Sequence, residues 1–541
     1  MRPPIRLPSR ILSHAVSRQL YTPRTSCVAA RWSSTSSPTE GRKWSTPLAK
    51  TLTEAITTTG PVPVAAYMRQ VLTSPDGGYY TSRLEGGDQF GQKGDFITSP
   101  EISQIFGELV GLWFVAEWMI QDRKSSGVQL VEVGPGRGTL MDDMLRAIRN
   151  FKSMTSAIET VYLIEASPTL RAAQHKLLCG DAPLKETEIG HESTSKYSNL
   201  KIVWSEDIRL VPKDATKTPF IVAHEFFDAL PIHVFESAAP PPASATPPSE
   251  PPADLTNPAA IAAAAARQQA RRQQRTNEWR ELLVSPVPPN STHATLNTPL
   301  SLRDASPVPD FQLVQSKGPT PHSMYLPHTS VRYAQLLRIP GSVIEISPES
   351  LAYASDFATR IGGAPATPRK QSAPGPPDPD ATPSTKPTPS GAALILDYGP
   401  LDTVPTNSLR GIMKHRAVSP FSAPGQVDVS ADVDFVALAE AAINASPGVE
   451  VHGPVEQAAW LEGMGIRERA RMLVKRAEKT KEGDGAEVAA EFKDRIEKGA
   501  QRLVDRGPNG MGKLYKALAI VPHFPEKAGR RPVGFGGDVK V

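Results

Sequence analysis

The chain has 541 residues, a formal net charge of +4, 54 prolines and two cysteines. The small charge, without a basic patch interleaved with aromatic residues, gives no reason to expect a nucleic-acid partner. Cys27 lies in a predicted leader, which excludes a disulfide framework and a cysteine-based zinc site. No run of about 18 uncharged apolar residues occurs, so we predict no transmembrane helix.

The first 45 residues have the composition of a targeting segment. They are rich in arginine and serine, and the first acidic residue is Glu40. This composition is typical of a mitochondrial transit peptide, and a disordered basic tail is the alternative. We expect import into the mitochondrial matrix and cleavage within about the first 50 residues.

Residues 46–127 are predicted to form a helical and loop segment that packs on the following domain. Ser99 is a suitable N-cap for a helix with Pro100 at its first position, and apolar residues then recur on one broad face. The preceding segment, 91–101, is too polar for a core. It is either a loop that lies over a ligand or a plain surface loop.

An apolar strand, a glycine-rich turn and a helix follow one another from residue 130 onward. The turn contains three glycines: Gly134, Gly136 and Gly138. Glycines let the backbone approach a ligand closely, and the helix N-terminus offers free N–H groups. A dinucleotide site would have glycine at Thr139, and a P-loop would have a lysine in this turn. The pattern resembles motif I of the S-adenosylmethionine methyltransferases, with Glu132 on the strand, and a glycine turn without a ligand is the alternative.

Acidic residues lie near the ends of the next three predicted strands. The first is Glu165, where nucleotide-binding α/β folds place an acid that accepts hydrogen bonds from ribose hydroxyls. Asp207 is either an adenine contact, as in methyltransferases, or a solvated loop acid. Glu225 and Asp228 follow the next strand, where ligands bind in open α/β sheets, but they are equally suited to cap a helix.

Two stretches differ from the rest of the chain in composition. Residues 238–276 are dominated by Ala, Pro, Ser, Gln and Arg, and residues 364–390 by Pro, Ser and Thr. Both are too poor in large apolar residues to bury a core, and we predict that they are disordered insertions. The first interrupts a predicted hairpin formed by residues 232–235 and 279–284.

Alternating strands and helices indicate the fold class. From 128 to 523 the pattern favours α/β, a Rossmann-like methyltransferase sheet that follows the N-terminal helical segment and carries the low-complexity insertions. Apolar stretches over 391–399 and 514–521 are predicted to be further strands. Residues 524–541 are predicted to be a flexible tail.

Several blocks of sequence together resemble the MidA-like methyltransferases. The resemblance runs from about residue 60 to 522, and it rests on Gly94–Ser103, Glu132–Leu140, His224–Pro231, Leu396–Gly399, Val429–Phe435 and Met511–Gly512. Mitochondrial members of that family methylate an arginine on a core subunit of respiratory complex I and assist its assembly. The resemblance therefore implies S-adenosylmethionine as cofactor and a complex I subunit as protein partner. The two proline-rich insertions depart from the family pattern.

The resemblance also implies a division of roles among the candidate residues. The expected cofactor-binding residues are Glu132, Gly134, Gly136, Gly138, Glu165 and Asp207. Carboxylates can hold a planar guanidinium bidentately and aim one nitrogen at a methyl group. Glu225 is the first candidate for this catalytic role and Asp228 is the second. The eleven histidines show no metal-ligand spacing, so we predict no metal site.

Two other functions compete with methyl transfer. The chain is alternatively an assembly chaperone that binds S-adenosylmethionine and whose essential role is to hold its client. An NAD-dependent oxidoreductase is disfavoured because Thr139 replaces the third glycine. The sequence leaves open the target arginine, the symmetry of the dimethylated product, and whether the protein is a homodimer.

Overall fold

The computed structural model describes residues 43–81, 98–239, 258, 277–304, 306–364, 386–479, 486–508, 510–527 and 529–537. Residues 1–42 of the predicted leader, most of both predicted insertions and most of the loop before Thr98 lie outside the described residues. All elements below belong to the unit that begins at Trp44.

The described residues form seventeen strands of two to nine residues. They are β1 Val62–Pro63, β2 Val128–Val133, β3 Ile158–Ile164, β4 Lys185–Thr187, β5 Gly190–Thr194, β6 Lys201–Ser205, β7 Thr218–His224, β8 His233–Ala238, β9 Glu278–Pro286, β10 Phe311–Gln315, β11 Val343–Ile346, β12 Ala392–Tyr398, β13 Arg410–Met413, β14 Arg416–Val418, β15 Asp428–Ser430, β16 Val449–Glu456 and β17 Tyr515–Pro522.

The α-helices range from single turns to nineteen residues. They are α1 Pro47–Thr59, α2 Val64–Thr73, α3 Ser99–Ile102, α4 Gln104–Ile120, α5 Thr139–Ile148, α6 Lys152–Ala157, α7 Pro168–Cys179, α8 Leu300–Arg303, α9 Pro321–Tyr325, α10 Val331–Leu336, α11 Pro348–Gly362, α12 Phe435–Ala445, α13 Gln457–Gly463, α14 Ile466–Lys479 and α15 Ala486–Val504. In the part of the chain that the structure describes, no helix has both the length and the apolar character needed to cross a membrane.

The central sheet has nine described strands in the order β16-β17-β12-β7-β2-β3-β6-β5-β4. The inner strands β12, β7, β2, β3 and β6 are parallel, and the outer strands join them antiparallel. From β2 the chain moves outward to β3 and β6, and then returns to β7 on the other side of β2. Ligands of open α/β sheets bind at the carboxyl ends of the strands where the direction reverses in this way. The predicted α/β fold class is confirmed.

Helices cover both faces of the central sheet because its inner strands are apolar on both sides. On β2, Leu130 packs in one apolar cluster with α4 and α5, whereas its neighbour Val131 packs in a second cluster with α11 and α12. Successive residues of a strand point to opposite faces, so one short strand serves both layers. The loops at the carboxyl ends of the strands are therefore anchored by buried side chains on both faces of the sheet.

A second sheet is built from the chain on either side of the first predicted insertion. Its order is β1-β9-β8-β11, with β10 also paired to β9, and helices α1 and α2 pack on it. Strands β8 and β9 are antiparallel, with Val234 opposite Leu282, which confirms the predicted hairpin. A small third sheet, β14-β13-β15, follows β12 in the chain.

The predicted long helix from Ser99 is interrupted. Ser99 is the first residue of α3, and the N-cap is Thr98, whose N–H donates to the Glu101 carboxylate at 3.1 Å. Ser103 then leaves the helical conformation and accepts from the N–H of Ile105 at 3.4 Å, which starts α4. The prediction of Ser99 as the N-cap is wrong. Thr98 caps the short helix α3, and Ser103 caps the long helix α4.

Part of the predicted flexible tail is packed, so the structure differs from the expectation for 524–541. Val533 and Phe535 are buried in the cluster that contains α4. The indole N–H of Trp113 on α4 donates to the carbonyl of Val533 at 3.1 Å. Two apolar side chains and a buried backbone acceptor hold this segment although its sequence is rich in glycine and proline.

The described end of the second predicted insertion is also packed. Lys386 is buried, and its ammonium donates to the carbonyl oxygens of Arg360 and Ser390, both at 2.9 Å. The remainder of 364–390 up to residue 385 lies largely outside the described residues. The described part of the chain resumes at Lys386, and this residue is packed a few positions before β12 begins.

Candidate active site

A cavity of about 450 Å³ opens at the carboxyl ends of β2, β3 and β7. The lining includes the glycine-rich turn with Glu132 and Glu165, here called the glycine end, and also Glu225 and Asp228. Further lining side chains come from α2 and the segment after it, from β12 and from the small third sheet. Four acidic residues, which are spread over nearly a hundred positions of the sequence, thus line the same cavity.

The glycine-rich turn takes a backbone conformation that side chains rarely adopt. The φ angles are +68° at Gly134, +52° at Gly136 and +85° at Gly138. A Cβ at Gly134 would lie 2.6 Å from the ring of Phe226. The turn therefore needs glycine, both for its left-handed residues and for the approach of Phe226. It ends at the N-terminus of α5, whose first N–H groups lack partners within the helix.

Two buried acids stand beside this turn. Burial, with Glu165 as the second cause, raises the pKa of Glu132 to about 8. Burial likewise raises the pKa of Glu165 to about 7. Among the described residues, the Oε2 atom of Glu132 is buried without a hydrogen-bond partner. Such an atom costs free energy unless a ligand satisfies it.

Gln174 on α7 joins the turn to Glu165. Its amide nitrogen donates to the carbonyl of Gly136 at 2.6 Å and to Oε2 of Glu165 at 3.0 Å. Its amide oxygen accepts from the indole N–H of Trp204 at 2.9 Å. The N–H of Ser167 donates to the other oxygen of Glu165 at 2.8 Å. These bonds fix the direction of the Glu165 carboxylate.

Glu225 follows β7 in a strained backbone conformation. Its φ is +48°, although it is not glycine, and its N–H donates to the carbonyl of Leu396 at 3.0 Å. Burial, followed by the proximity of Asp228, raises the pKa of Glu225 to about 8. The neighbouring His224 is neutral, because burial lowers its pKa to about 3. In the described part of the chain, no lysine or arginine pairs with Glu225. Backbone strain of this kind clusters at functional sites.

Asp397, at the end of β12, holds the turn that carries both candidate acids. Its Oδ2 atom accepts from the N–H groups of Phe226 at 3.1 Å, Phe227 at 2.8 Å and Asp228 at 3.3 Å. Its Oδ1 atom accepts from the N–H of Tyr398 at 2.8 Å. Asp397 is fully buried and is directed at backbone rather than at the cavity, so it is a positioning residue.

Asp228, unlike Glu225, has a positively charged side chain of this protein near it, that of Arg410. Burial raises the pKa of Asp228 to about 6, and the guanidinium of Arg410 opposes this rise. Arg410 itself donates to Asp432 at 2.5 Å and lies 5.1 Å from the ring centre of Tyr398. The hydroxyls of Tyr398 and Tyr515 are hydrogen bonded to each other. Of the two candidate acids, Glu225 is therefore the one left without a counter-ion.

The sequence was compared with models of protein families. Residues 109–455 match the model described as "Putative S-adenosyl-L-methionine-dependent methyltransferase". The chain belongs to this family. The predicted family resemblance and the predicted cofactor, S-adenosylmethionine, are thus confirmed.

The sequence of this methyltransferase is similar to those of curated relatives over most of its length. It is 32% identical over 484 residues to "Protein arginine methyltransferase NDUFAF7, mitochondrial" of Rattus norvegicus, covering 88% of this chain and 85% of the relative. The protein of the same name from Homo sapiens is 30% identical, with 90% and 86% covered. The homologue from Drosophila melanogaster is 32% identical, with 88% and 85% covered.

A solved structure shares the fold of this methyltransferase. It is a COG1565 superfamily member from Burkholderia thailandensis, bound to S-adenosyl-homocysteine. The TM-score is 0.57 at 20% sequence identity, and the likeness covers 91% of this chain and 94% of that one. A second structure of a COG1565 protein from the same organism gives a TM-score of 0.53 at 21% identity.

The glycine end of the cavity fits the cofactor of this family. The unpaired Oε2 atom of Glu132 can accept from the ammonium of a bound methionine moiety, and this contact favours the ionised carboxylate. Glu165, aimed by Gln174 and Ser167, can accept from ribose hydroxyls. The cavity volume of about 450 Å³ lies within the range of about 300–1,000 Å³ that is usual for cofactor sites.

Six of the eight residues predicted for the site line the cavity, and two do not. The six are Glu132, Gly134, Gly136, Glu165, Glu225 and Asp228. Gly138 is not among the lining residues, and a Cβ there would be 3.3 Å from Gln174. Asp207 does not line the cavity either. It accepts from the backbone N–H of Arg209 at 2.8 Å and pairs with its guanidinium, while the preceding residue, Glu206, lines the cavity.

The sequence reasoning missed several residues that build the site. Gln174 lies on a helix with no motif, and only its contacts reveal its role. Arg410 and Tyr80 come from segments far from the glycine turn, and both line the cavity. Tyr398, by contrast, was recognisable from the sequence, because it closes the predicted strand 391–399 within the block Leu396–Gly399, and it lines the cavity.

Replacing Gln174 by methionine is expected to weaken S-adenosylmethionine binding by about tenfold or more. Methionine keeps the length of the side chain but removes the donor to Glu165 and Gly136, and a hydrogen bond to a charged group is worth about 1.5–3 kcal/mol. Calorimetric titration with S-adenosylmethionine measures the change. Lys176→Met, at an exposed position of the same helix, is the control and should bind normally. An unchanged affinity for Gln174→Met would show that Glu165 is not held by this contact.

Proposed function

We propose that this chain is a protein arginine N-methyltransferase of the mitochondrial matrix. Its substrate would be a core subunit of respiratory complex I, whose assembly it supports. The observation that carries the proposal is the carboxyl group of Glu225, which lines the cavity with 11% of its side chain exposed and has no lysine or arginine partner among the described residues. The curated relatives named above are called protein arginine methyltransferases.

The cofactor would be held at the glycine end. The proposed contacts are Gly134 and Gly136 with the backbone of the turn, Glu132 with the ammonium and Glu165 with the ribose. Glu206 replaces Asp207 as the candidate near the adenine, because it lines the cavity. When bound, S-adenosylmethionine supplies an electrophilic methyl group on a sulfonium sulfur.

The substrate guanidinium would be held by Glu225. A buried carboxyl group without a counter-ion favours a cationic ligand, because the ligand relieves the cost of ionising it. The guanidinium presents paired N–H donors that match the two carboxylate oxygens. Phe226 and Tyr398 flank this region and limit water, which strengthens the ion pair.

Positioning accounts for most of the proposed rate enhancement. Glu225 aims one guanidinium nitrogen at the methyl group, and holding the two reactants in line lowers the entropic barrier. As the nitrogen gains the methyl group it loses a proton. The Glu225 carboxylate, whose pKa is raised to about 8 in the free protein, is basic enough to accept that proton. Asp397 keeps the turn in place through its bonds to backbone N–H groups.

The matrix location is supported by two observations. The curated relatives carry "mitochondrial" in their names. The first acidic residue of this chain is Glu40, and the sequence before it is rich in arginine and serine.

The test is mass spectrometry of complex I arginines in cells with and without this protein. We expect methylation of one arginine on a core subunit to disappear when the protein is removed and to return with the wild-type chain. The Glu225→Gln chain, expressed at the same level, should not restore it. An arginine methylation pattern that is the same in all four cell lines would refute the proposed substrate.

A further inference from the structure

Two histidines and a glutamate come together away from the cavity. His233 is the first residue of β8, Glu281 lies in β9, and His322 lies in α9. One nitrogen of each histidine and one carboxylate oxygen of Glu281 all lie within 4.8 Å of one another. Among the described residues, no other group of three potential metal ligands meets this distance. The long spacing of these residues along the chain explains why the sequence showed no metal motif.

The distances in this cluster suit a small divalent ion. Nδ1 of His233 lies 2.7 Å from Oε1 of Glu281, and Nδ1 of His322 lies 3.5 Å from its Oε2. A tetrahedral zinc ion with bonds of about 2.0–2.2 Å holds its ligands roughly 3.3–3.5 Å apart. Small shifts therefore turn this arrangement into a coordination sphere. The centres of the two imidazole rings are 4.1 Å apart, and one nitrogen of each ring lies within 4.8 Å of the other.

The three side chains of the cluster are also buried to the degree expected of metal ligands, with one of them reachable from solvent. The side chain of Glu281 is fully buried, that of His233 is nearly so, and that of His322 is 45% exposed. The hydroxyl of Thr320 donates to Oε2 of Glu281 at 2.5 Å. The cluster thus offers a carboxylate, two imidazoles and an entry path on the His322 side.

We propose that His233, Glu281 and His322 bind one divalent transition-metal ion, with zinc as the best match to two imidazoles and one carboxylate. Three protein ligands leave one position open to water on the side of His322. The ion would tie α9 to the hairpin of β8 and β9 and so stabilise the second sheet. Since β8 begins soon after the turn of Glu225 and Asp228, this tie would also support the wall of the cavity.

Zinc stoichiometry of the full chain tests the proposal. The purified protein is stripped with EDTA, incubated with excess zinc, passed through a desalting column and analysed by inductively coupled plasma mass spectrometry. We expect about one zinc per chain and a melting temperature several degrees higher with zinc than without it. Cobalt(II) in place of zinc should give visible absorption of the intensity typical of a tetrahedral site. A wild-type chain that retains no zinc overturns the proposal.

Single variants separate this site from adventitious binding. His322→Ala removes a half-exposed ligand, so the chain should still fold by circular dichroism but lose the zinc, the cobalt spectrum and the rise in melting temperature. His523→Ala is the matched control. His523 is also about half exposed and lies with His452 around one carboxylate, that of Glu450. That trio does not bring three ligand atoms within 4.8 Å, and its variant should bind zinc normally. Full zinc stoichiometry in His322→Ala would refute the assignment.

Discussion

Replacing Glu225 by glutamine is expected to lower methyl transfer by about a hundredfold or more and to leave S-adenosylmethionine binding unchanged. Glutamine keeps the shape of the side chain but removes the charge that would hold the substrate guanidinium. A hydrogen bond to a charged group is worth about 1.5–3 kcal/mol, and misalignment of the attacking nitrogen adds to this loss. Single-turnover transfer of a labelled methyl group measures the rate, and calorimetry measures cofactor binding.

Asp228→Asn is the matched control for that experiment. Asp228 lines the same cavity, but the guanidinium of Arg410 already opposes its charge. Its replacement should therefore reduce the rate less than the replacement of Glu225. A Glu225→Gln enzyme that methylates its client at the normal rate would show that another group holds the guanidinium.

The raised pKa of Glu225 also predicts how kcat/KM changes with pH. With a pKa of about 8, the carboxyl group is mostly protonated at neutral pH in the free protein. Binding of a guanidinium needs the carboxylate, so kcat/KM should rise with pH up to about 8 and then level off. Glu225→Gln should lose this rise. If the rise persists in the variant, another group is being titrated.

The core of the fold could be predicted because its signals are local. An apolar strand followed by a glycine turn and an amphipathic helix requires only neighbouring residues, and β2 and α5 are found there. The strands β3, β7, β12 and β17 were equally recognisable as apolar runs. The third sheet was not predicted, because β13, β14 and β15 have three or four residues each and pair only in the tertiary structure.

The candidate site was predictable where residues lie at or directly after the carboxyl end of a strand of the central sheet. Glu165 and Glu225 do so, and topology alone brings them to one edge. Asp207 obeys the same rule, yet its carboxylate is taken by Arg209, two residues later, and a local contact of this kind is not visible in a strand pattern. Gln174 and Arg410 reach the site from a helix and from the third sheet, so no periodicity marks them.

Replacing Gly136 by valine is expected to abolish S-adenosylmethionine binding, with a loss of affinity of at least about a hundredfold. Gly136 lines the cavity with φ at +52°, a conformation that a β-branched residue adopts only with strain of about 1–3 kcal/mol. The side chain would also occupy ligand space, and the carbonyl of Gly136 would lose its fixed contact with Gln174. Calorimetry measures the binding, and circular dichroism checks that the chain still folds.

Gly180→Val separates loss of the ligand site from backbone strain. Gly180 has φ at +64° at the end of α7, and a Cβ there meets nothing within 4 Å. Its variant also carries a side chain at positive φ, but outside the cavity, and should bind the cofactor normally. Undiminished binding by Gly136→Val would refute the assignment of the glycine turn.

The same variant distinguishes an enzyme from a client-holding chaperone. In cells that lack the wild-type protein, a Gly136→Val chain that does not bind the cofactor but restores complex I assembly would show that methyl transfer is not the essential role. The client-holding chaperone would then be the better description, because assembly would depend on surfaces that this substitution leaves intact.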